Sequence, residues 1–177
     1  MTKNIVITGA MSSGKSTVLQ LLKSQGFNVV PEPAREILAE QRSIGGEGVP
    51  EQNPKLFTQL LLSRAIYQYK QMQTSHDVVI FDRGIPDNIA YAQLFNLDYP
   101  PAQQAAKLYR YHTDVFIFPA WDEIYTTDDE RIMSFKAAKA FGDSVHKIYK
   151  QCGYNLIEVP NVSPEERAIF IKERILP

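Results

Sequence analysis

The run Gly9-Ala10-Met11-Ser12-Ser13-Gly14-Lys15-Ser16, with Thr17 behind it, decides how the rest of the chain is read. Its pattern is G-x-x-x-x-G-K-S. Ile5-Val6-Ile7 leads into it as a buried strand does. A helical pattern leaves it, with Val18, Leu21 and Leu22 on one face and Gly26 placed as the stop. Strand, glycine loop and helix start together make a phosphate cradle. The glycines let the backbone turn sharply, so that several N–H groups converge over the positive end of the helix dipole. In such a loop the lysine, Lys15, reaches the β- and γ-phosphates, and the Ser16 hydroxyl ligates Mg²⁺. The pattern therefore predicts binding of a nucleoside triphosphate, taken as ATP with Mg²⁺, by Gly9, Ser12, Ser13, Gly14, Lys15, Ser16 and Thr17.

Outward from this loop, short apolar runs alternate with helical patterns. Phe27-Asn28-Val29-Val30, Val78-Val79-Ile80-Phe81, Val115-Phe116-Ile117-Phe118 and Leu156-Ile157-Glu158-Val159 read as four further strands. Asn53-Pro54 has N-cap and first-turn chemistry. Thr127-Asp128-Asp129-Glu130 and Ser163-Pro164-Glu165-Glu166 have the spacing of capping boxes. Residues 43–53, rich in glycine and poor in apolar side chains, predict a mobile loop. Five strands alternating with helices mean an α/β fold, a parallel sheet with helices on both faces. Ligands in such sheets bind outside the carboxyl ends of the strands. The P-loop, Glu32, Asp82-Arg83, Trp121 and Asn161 are thus expected to converge on one cleft, within one domain spanning residues 1–177 and carrying a lid at about 119–135.

Composition narrows the classes. The chain has 177 residues, 44% hydrophobic and 22% charged, with a formal net charge of −1, which offers no electrostatic case for nucleic acid as the main partner. One cysteine, Cys152, excludes an internal disulfide and suits a reducing compartment. No apolar run approaches membrane-spanning length, and Met1-Thr2-Lys3 leaves no room for a signal peptide before the first strand. The expected setting is cytoplasmic, without membrane insertion.

Several residues have the chemistry for phosphoryl transfer. Asp82 ends an apolar strand, where a carboxylate can hold Mg²⁺ across from Ser16 or cap the next turn. Arg83 can pair with phosphate or substrate oxygens, or with a neighbouring carboxylate at the surface. Glu32 stands between Pro31 and Pro33, which stiffen the backbone; it can accept a proton from an attacking hydroxyl, or be an exposed loop glutamate. Arg35 is placed to bind the substrate or neutralise Glu32. Arg131 follows the Trp121–Thr127 stretch, where an arginine on a closing flap can stabilise the transferred phosphoryl group. Asp128, Asp129 and Glu130 read as cap and dipole residues, and His76, His112 and His146 have no ligand spacing. Trp121 with Tyr125 offers either a ring platform or core packing.

The stretches VITGAMSSGKST (6–17), VVPEPAREIL (29–38), VVIFDRGIPDNIAYA (78–92) and VFIFPAWDEIYTTDDERIMSF (115–135) resemble the P-loop family typified by the kinase domain of the NAD regulator NadR. The same order is similar to that of deoxynucleoside and nucleoside monophosphate kinases. The resemblance implies a P-loop NTPase three-layer sandwich with sheet order 2-3-1-4-5. It implies Glu32 as the base, Asp82-Arg83 as the acidic-Arg pair and Arg131 as the lid arginine, with Lys15, Glu32, Asp82, Arg83 and Arg131 catalytic and Glu32, Arg35 and Arg83 at the substrate. It also puts residues 160–163 near the nucleotide base. The activity expected is transfer of the γ-phosphoryl group to a hydroxyl of a nucleoside- or riboside-like acceptor; the alternative is a nucleotide-dependent regulatory module that hydrolyses slowly.

Overall fold

The structure, a computed structural model, describes residues 3–74, 77–127 and 133–176. Five strands, β1 (Lys3–Gly9), β2 (Asn28–Val30), β3 (Val78–Asp82), β4 (Asp114–Phe118) and β5 (Asn155–Glu158), form one parallel sheet in the order β2-β3-β1-β4-β5. The helices are α1 (Lys15–Ser24), α2 (Pro33–Ser43), α3 (Pro54–Gln71), α4 (Asp87–Leu94), α5 (Pro100–Leu108), α6 (Phe135–Gln151) and α7 (Pro164–Ile175).

The pleat of β1 explains the layers. Alternate side chains point to opposite faces. Ile5 and Ile7 pack with Val18 and Leu22 of α1 and Ala168 and Ile171 of α7. Val6 faces the other way, into a larger core built from α2 to α6, with Ile37, Phe57, Ala90, Ala102 and Phe141 among its members. Both faces are covered, so the central strands are apolar on both sides. Ile7 pairs with Asp82 and Gly9 with Phe118, which brings the ends of β1, β3 and β4 level at one edge of the sheet.

The caps follow the local sequence. The Asn53 side chain accepts from the Leu56 N–H at 3.0 Å, with Pro54 next to it in the first turn. Ser163 and Glu166 complete a reciprocal capping box on α7. The other expected box is not the start of α6: Ser134 is its N-cap and accepts from the Ala137 N–H at 3.2 Å, seven residues beyond Thr127. Asp128, Asp129 and Glu130 lie outside the described residues. The connection from 43 to 53, expected to be mobile, is tied down at both ends. Gln41 Oε1 accepts from the Gly48 N–H at 2.9 Å, and Val49 is buried and receives the Asn53 N–H on its carbonyl at 2.9 Å. Spacing shows the glycines of this segment but not the Gln41 side chain that fastens them. No helix among the described residues is long and apolar enough to cross a membrane.

Candidate active site

The loop after β1 takes its shape from three residues with positive φ: Gly9 (131°), Ser12 (53°) and Gly14 (85°). Gly9 must be glycine for a second reason. A Cβ there would stand 2.1 Å from the Phe118 carbonyl oxygen of β4, against which the loop turns. The Ala10 N–H donates to that same oxygen at 3.0 Å and fixes where the loop leaves the sheet. Lys15 is buried, its ammonium donating to the Ala10 carbonyl at 2.7 Å and to Ser13 Oγ at 3.4 Å. Ser16 and Thr17 are exposed at the first turn of α1. Residues 12–17 line a cavity of about 430 Å³ together with Asp82, Trp121, Ser163 and Arg167. Gly9 is not on its wall; its carbonyl is turned to Arg83.

At the end of β3 the chain turns through Arg83, whose φ of 65° is unusual for a side chain with a Cβ. The turn sends the guanidinium back toward β1, where it is almost completely buried. Nη1 donates to the Gly9 carbonyl at 2.9 Å and to Asp87 Oδ1 at 2.9 Å, while Nε donates to Glu32 Oε1 at 3.0 Å. Burial opposes its charge, but Tyr91, Glu32, Asp87 and Asp82 outweigh that and push its pKa up. Arg83 lines neither this cavity nor the apolar one described next; its ion pairs with Glu32 and Asp87 are buried, which corrects the alternative of a surface ion pair. It joins the P-loop to Glu32.

Glu32 sits at the N-terminal end of α2 with its carboxylate nearly buried. Besides the Arg83 bond, Oε1 accepts from the Tyr91 hydroxyl at 2.7 Å. Burial, and then the charge of Glu32, raise the Tyr91 pKa, so this phenol stays a donor. Glu32 and Arg35 line the phosphate-loop cavity and also a second one, of about 320 Å³, walled by Met11, Leu38, Phe57, Leu94 and Phe95 among others. The two cavities therefore meet at Glu32 and Arg35.

Asp82 has a buried Oδ1 with no hydrogen-bond partner among the described residues. Its pKa is pushed up to about 6, first by burial and then by Glu32, with Asp87 adding to this and Lys15 and Arg83 working against it. A desolvated carboxylate beside a phosphate loop is the donor set that a hard divalent cation satisfies.

Two residues escaped the sequence reading. Asp87 is a buried hub that accepts from Thr8 Oγ1 (2.6 Å), Arg83 Nη1 (2.9 Å), the Gly84 N–H (2.9 Å) and the Tyr149 hydroxyl (2.6 Å). Arg167 is 1% exposed. It donates to the Ser13 carbonyl (2.8 Å), the Pro160 carbonyl (2.8 Å) and Asn161 Oδ1 (2.9 Å), and lies 4.7 Å over the Trp121 ring. It thereby braces the P-loop against the β5–α7 connection and accounts for the places of Trp121 and Asn161. Tyr125 does not line the phosphate-loop cavity as Trp121 does: it packs on Phe135 at 5.4 Å and donates to the Met133 carbonyl. Of the segment expected to form a lid, 119–135, residues 119–127 and 133–135 are described; they hold one 3-10 turn, Asp122–Ile124, and the start of α6, and Ile124 reaches the cavity wall. Arg131 lies outside the described residues.

A family model described as an AAA domain matches residues 4–167, the P-loop, Glu32, Asp82 and Arg167 included. The chain belongs to this AAA domain family. No curated protein matches it in sequence. Among solved structures, this AAA domain is similar to deoxyadenosine kinase from M. mycoides with bound dATP, at 16% identity and a TM-score of 0.71, covering 99% of this chain and 100% of that one. It is similar to NadR in complex with NR, at 15% identity and a TM-score of 0.71, where 97% of this chain spans 51% of that one. Thymidylate kinase from Ehrlichia chaffeensis matches at 18% identity and a TM-score of 0.63, covering 98% of both chains. The AAA domain thus has the fold of these P-loop kinases, with the sheet order that the resemblance implied.

Proposed function

We propose that this AAA domain is an ATP-dependent small-molecule kinase that transfers the γ-phosphoryl group to a hydroxyl of an acceptor held beside Glu32. The observation that carries this reading is the meeting of two cavities at one carboxylate. One cavity is walled by the P-loop, the other is apolar, and Glu32 stands at their junction with Arg83 and Tyr91 holding its Oε1. A module that only binds or slowly hydrolyses a nucleotide has no use for an acceptor cavity ending on a fixed carboxylate.

In the proposed reaction the triphosphate lies along residues 12–17, and the Lys15 ammonium leaves the Ala10 carbonyl for the β- and γ-phosphates. Ser16 and Asp82 would hold Mg²⁺, which supplies charge neutralisation on the phosphates; the orphaned Asp82 Oδ1 suits that part. Glu32 orients the acceptor hydroxyl and takes its proton as the new O–P bond forms and the bridging P–O bond to ADP breaks. Arg83 and Tyr91 keep the carboxylate in position, and the Arg83–Gly9 bond ties that position to the P-loop. Arg131 is proposed as the arginine that closes over the phosphates. The resemblance implies a nucleoside- or riboside-like acceptor; the geometry asks for a small molecule with one hydroxyl at the Glu32 end of the apolar cavity.

The test is acceptor-dependent ADP release. Small hydroxyl compounds in a panel should raise ADP production at least about tenfold over the rate with ATP alone, with one phosphomonoester formed per ADP. A rate that no acceptor raises, with inorganic phosphate as the sole product, would favour the slow hydrolase.

A further inference from the structure

We infer that the acceptor is an apolar alcohol, an aliphatic or aromatic molecule with a single hydroxyl, and not a nucleoside. The inference rests on the kinase reading and adds the substrate class.

The walls of the second cavity carry it. Leu38, Phe57, Leu94, Phe95 and Met11 supply aliphatic and aromatic surface, with Phe57 and Phe95 packed edge to face at 6.1 Å. Among the described residues that line it, none is Asn, Gln, Ser, Thr or His. The charged groups, Glu32 and Arg35, both belong to the junction with the phosphate cavity, and the Tyr91 hydroxyl is donated to Glu32. A nucleobase or sugar in this space would bury N–H, C=O and O–H groups opposite carbon. Each unpaired group lowers affinity by roughly five- to a hundredfold. An alcohol carries one polar atom, and Glu32 stands where that atom has to be.

Two further features agree. Leu94 is 37% exposed at this cavity, a large apolar side chain that an apolar ligand would cover. The volume of about 320 Å³ is at the small end of the usual pocket range, roughly 300–1,000 Å³. It suits a prenyl chain or one aromatic ring with a short hydroxylated arm. In the reaction the alcohol oxygen bonds to the γ-phosphorus, the bridging oxygen leaves with ADP, and the alcohol proton passes to Glu32, so the products are an alkyl phosphate and ADP.

The experiment compares geraniol and 3-phenylpropanol with adenosine, cytidine and thymidine. Binding is measured by calorimetry on the full chain with a non-hydrolysable ATP analogue, and turnover with ATP by phosphorus NMR. The alcohols are expected to bind and to be phosphorylated with kcat/KM at least tenfold above any nucleoside. Leu94→Asp, a change at an exposed position, should raise the KM for the alcohols at least fivefold while ATP affinity stays as it is. A nucleoside that matches or exceeds the best alcohol would overturn the inference and leave the kinase reading standing. Failure of both alcohols to bind would overturn it equally, while transfer to any other hydroxyl compound would keep the kinase reading. Alcohol binding with no transfer would overturn the acceptor role of the alcohol, and the kinase reading falls with it where no other hydroxyl compound is phosphorylated.

Discussion

Replacing Asp82 with Asn should make the metal-free protein more stable at neutral pH. Asp82 is desolvated, stands in the field of Glu32 and Asp87, and has a buried Oδ1 without a partner among the described residues. Its pKa rises from 3.8 to about 6 on folding, so the folded chain holds this proton more tightly than the unfolded chain does. The sign follows. Between about pH 4 and 6 the native state carries the extra proton, so stability falls as pH rises through that window and levels off above it. About two pH units at about 1.36 kcal/mol each amount to roughly 3 kcal/mol of destabilisation from the ionised carboxylate. Asn keeps the size and removes the charge. In urea titrations with a chelator present, the variant should match wild type near pH 4 and exceed it by up to roughly 3 kcal/mol at pH 7.5, a midpoint rise on the order of 1 M. Taking the difference between the two proteins cancels the titrating groups that do not interact with Asp82. Mg²⁺ with ATP should stabilise wild type more than the variant, reversing the order. An Asn variant less stable than wild type at pH 7.5 without metal, or a difference that does not change with pH, would refute the reasoning.

Lys15→Ala should lower ATP affinity at least about tenfold by calorimetry, since charge-assisted hydrogen bonds are worth about 1.5–3 kcal/mol each; unchanged affinity would remove the phosphate-binding role of residues 12–17. Arg167→Met keeps apolar bulk but leaves the Ser13 and Pro160 carbonyls unpaired, at about 1–3 kcal/mol each. Urea unfolding should show a loss of about 2–5 kcal/mol together with weaker ATP binding, and a loss below about 0.5 kcal/mol would show that Arg167 does not brace the loop.

The parts of the fold legible in the sequence are those written in short-range patterns. The P-loop, the five apolar strands, the Asn53-Pro54 cap and the Ser163–Glu166 box each lie within one stretch, and each stands where its residues put it. The start of α6 is not legible in the sequence because Thr127–Glu130 has capping-box spacing, whereas the residue that caps the helix, Ser134, has no acidic partner three positions on. The site is less legible, because its polar hubs are assembled across long separations. Asp87 bonds Thr8 from 79 positions away, and Arg167 bonds Ser13 from 154. Arg167 did leave a signal. It stands in the early turns of α7, against the helix dipole, and shares a buried stripe with Ile171 and Ile175. The inward turn of Arg83 depends on a positive φ that residue type does not announce. The apolar cavity was invisible because Leu38, Phe57 and Phe95 read as ordinary core residues until α2, α3 and α4 hold them around open space.

The account depends most on Glu32 as the proton acceptor at the junction of the two cavities. Glu32→Gln preserves the shape and the bond from Arg83 while removing the capacity to take a proton. General bases contribute typically about 10²–10⁴-fold, and a loose phosphoryl-transfer transition state favours the low end of that range. The measurement is the rate of acceptor phosphorylation set beside ATP affinity in the two proteins. The account predicts a loss of about a hundredfold or more in transfer with ATP affinity within about twofold of wild type. Transfer at the wild-type rate in the glutamine variant would contradict it.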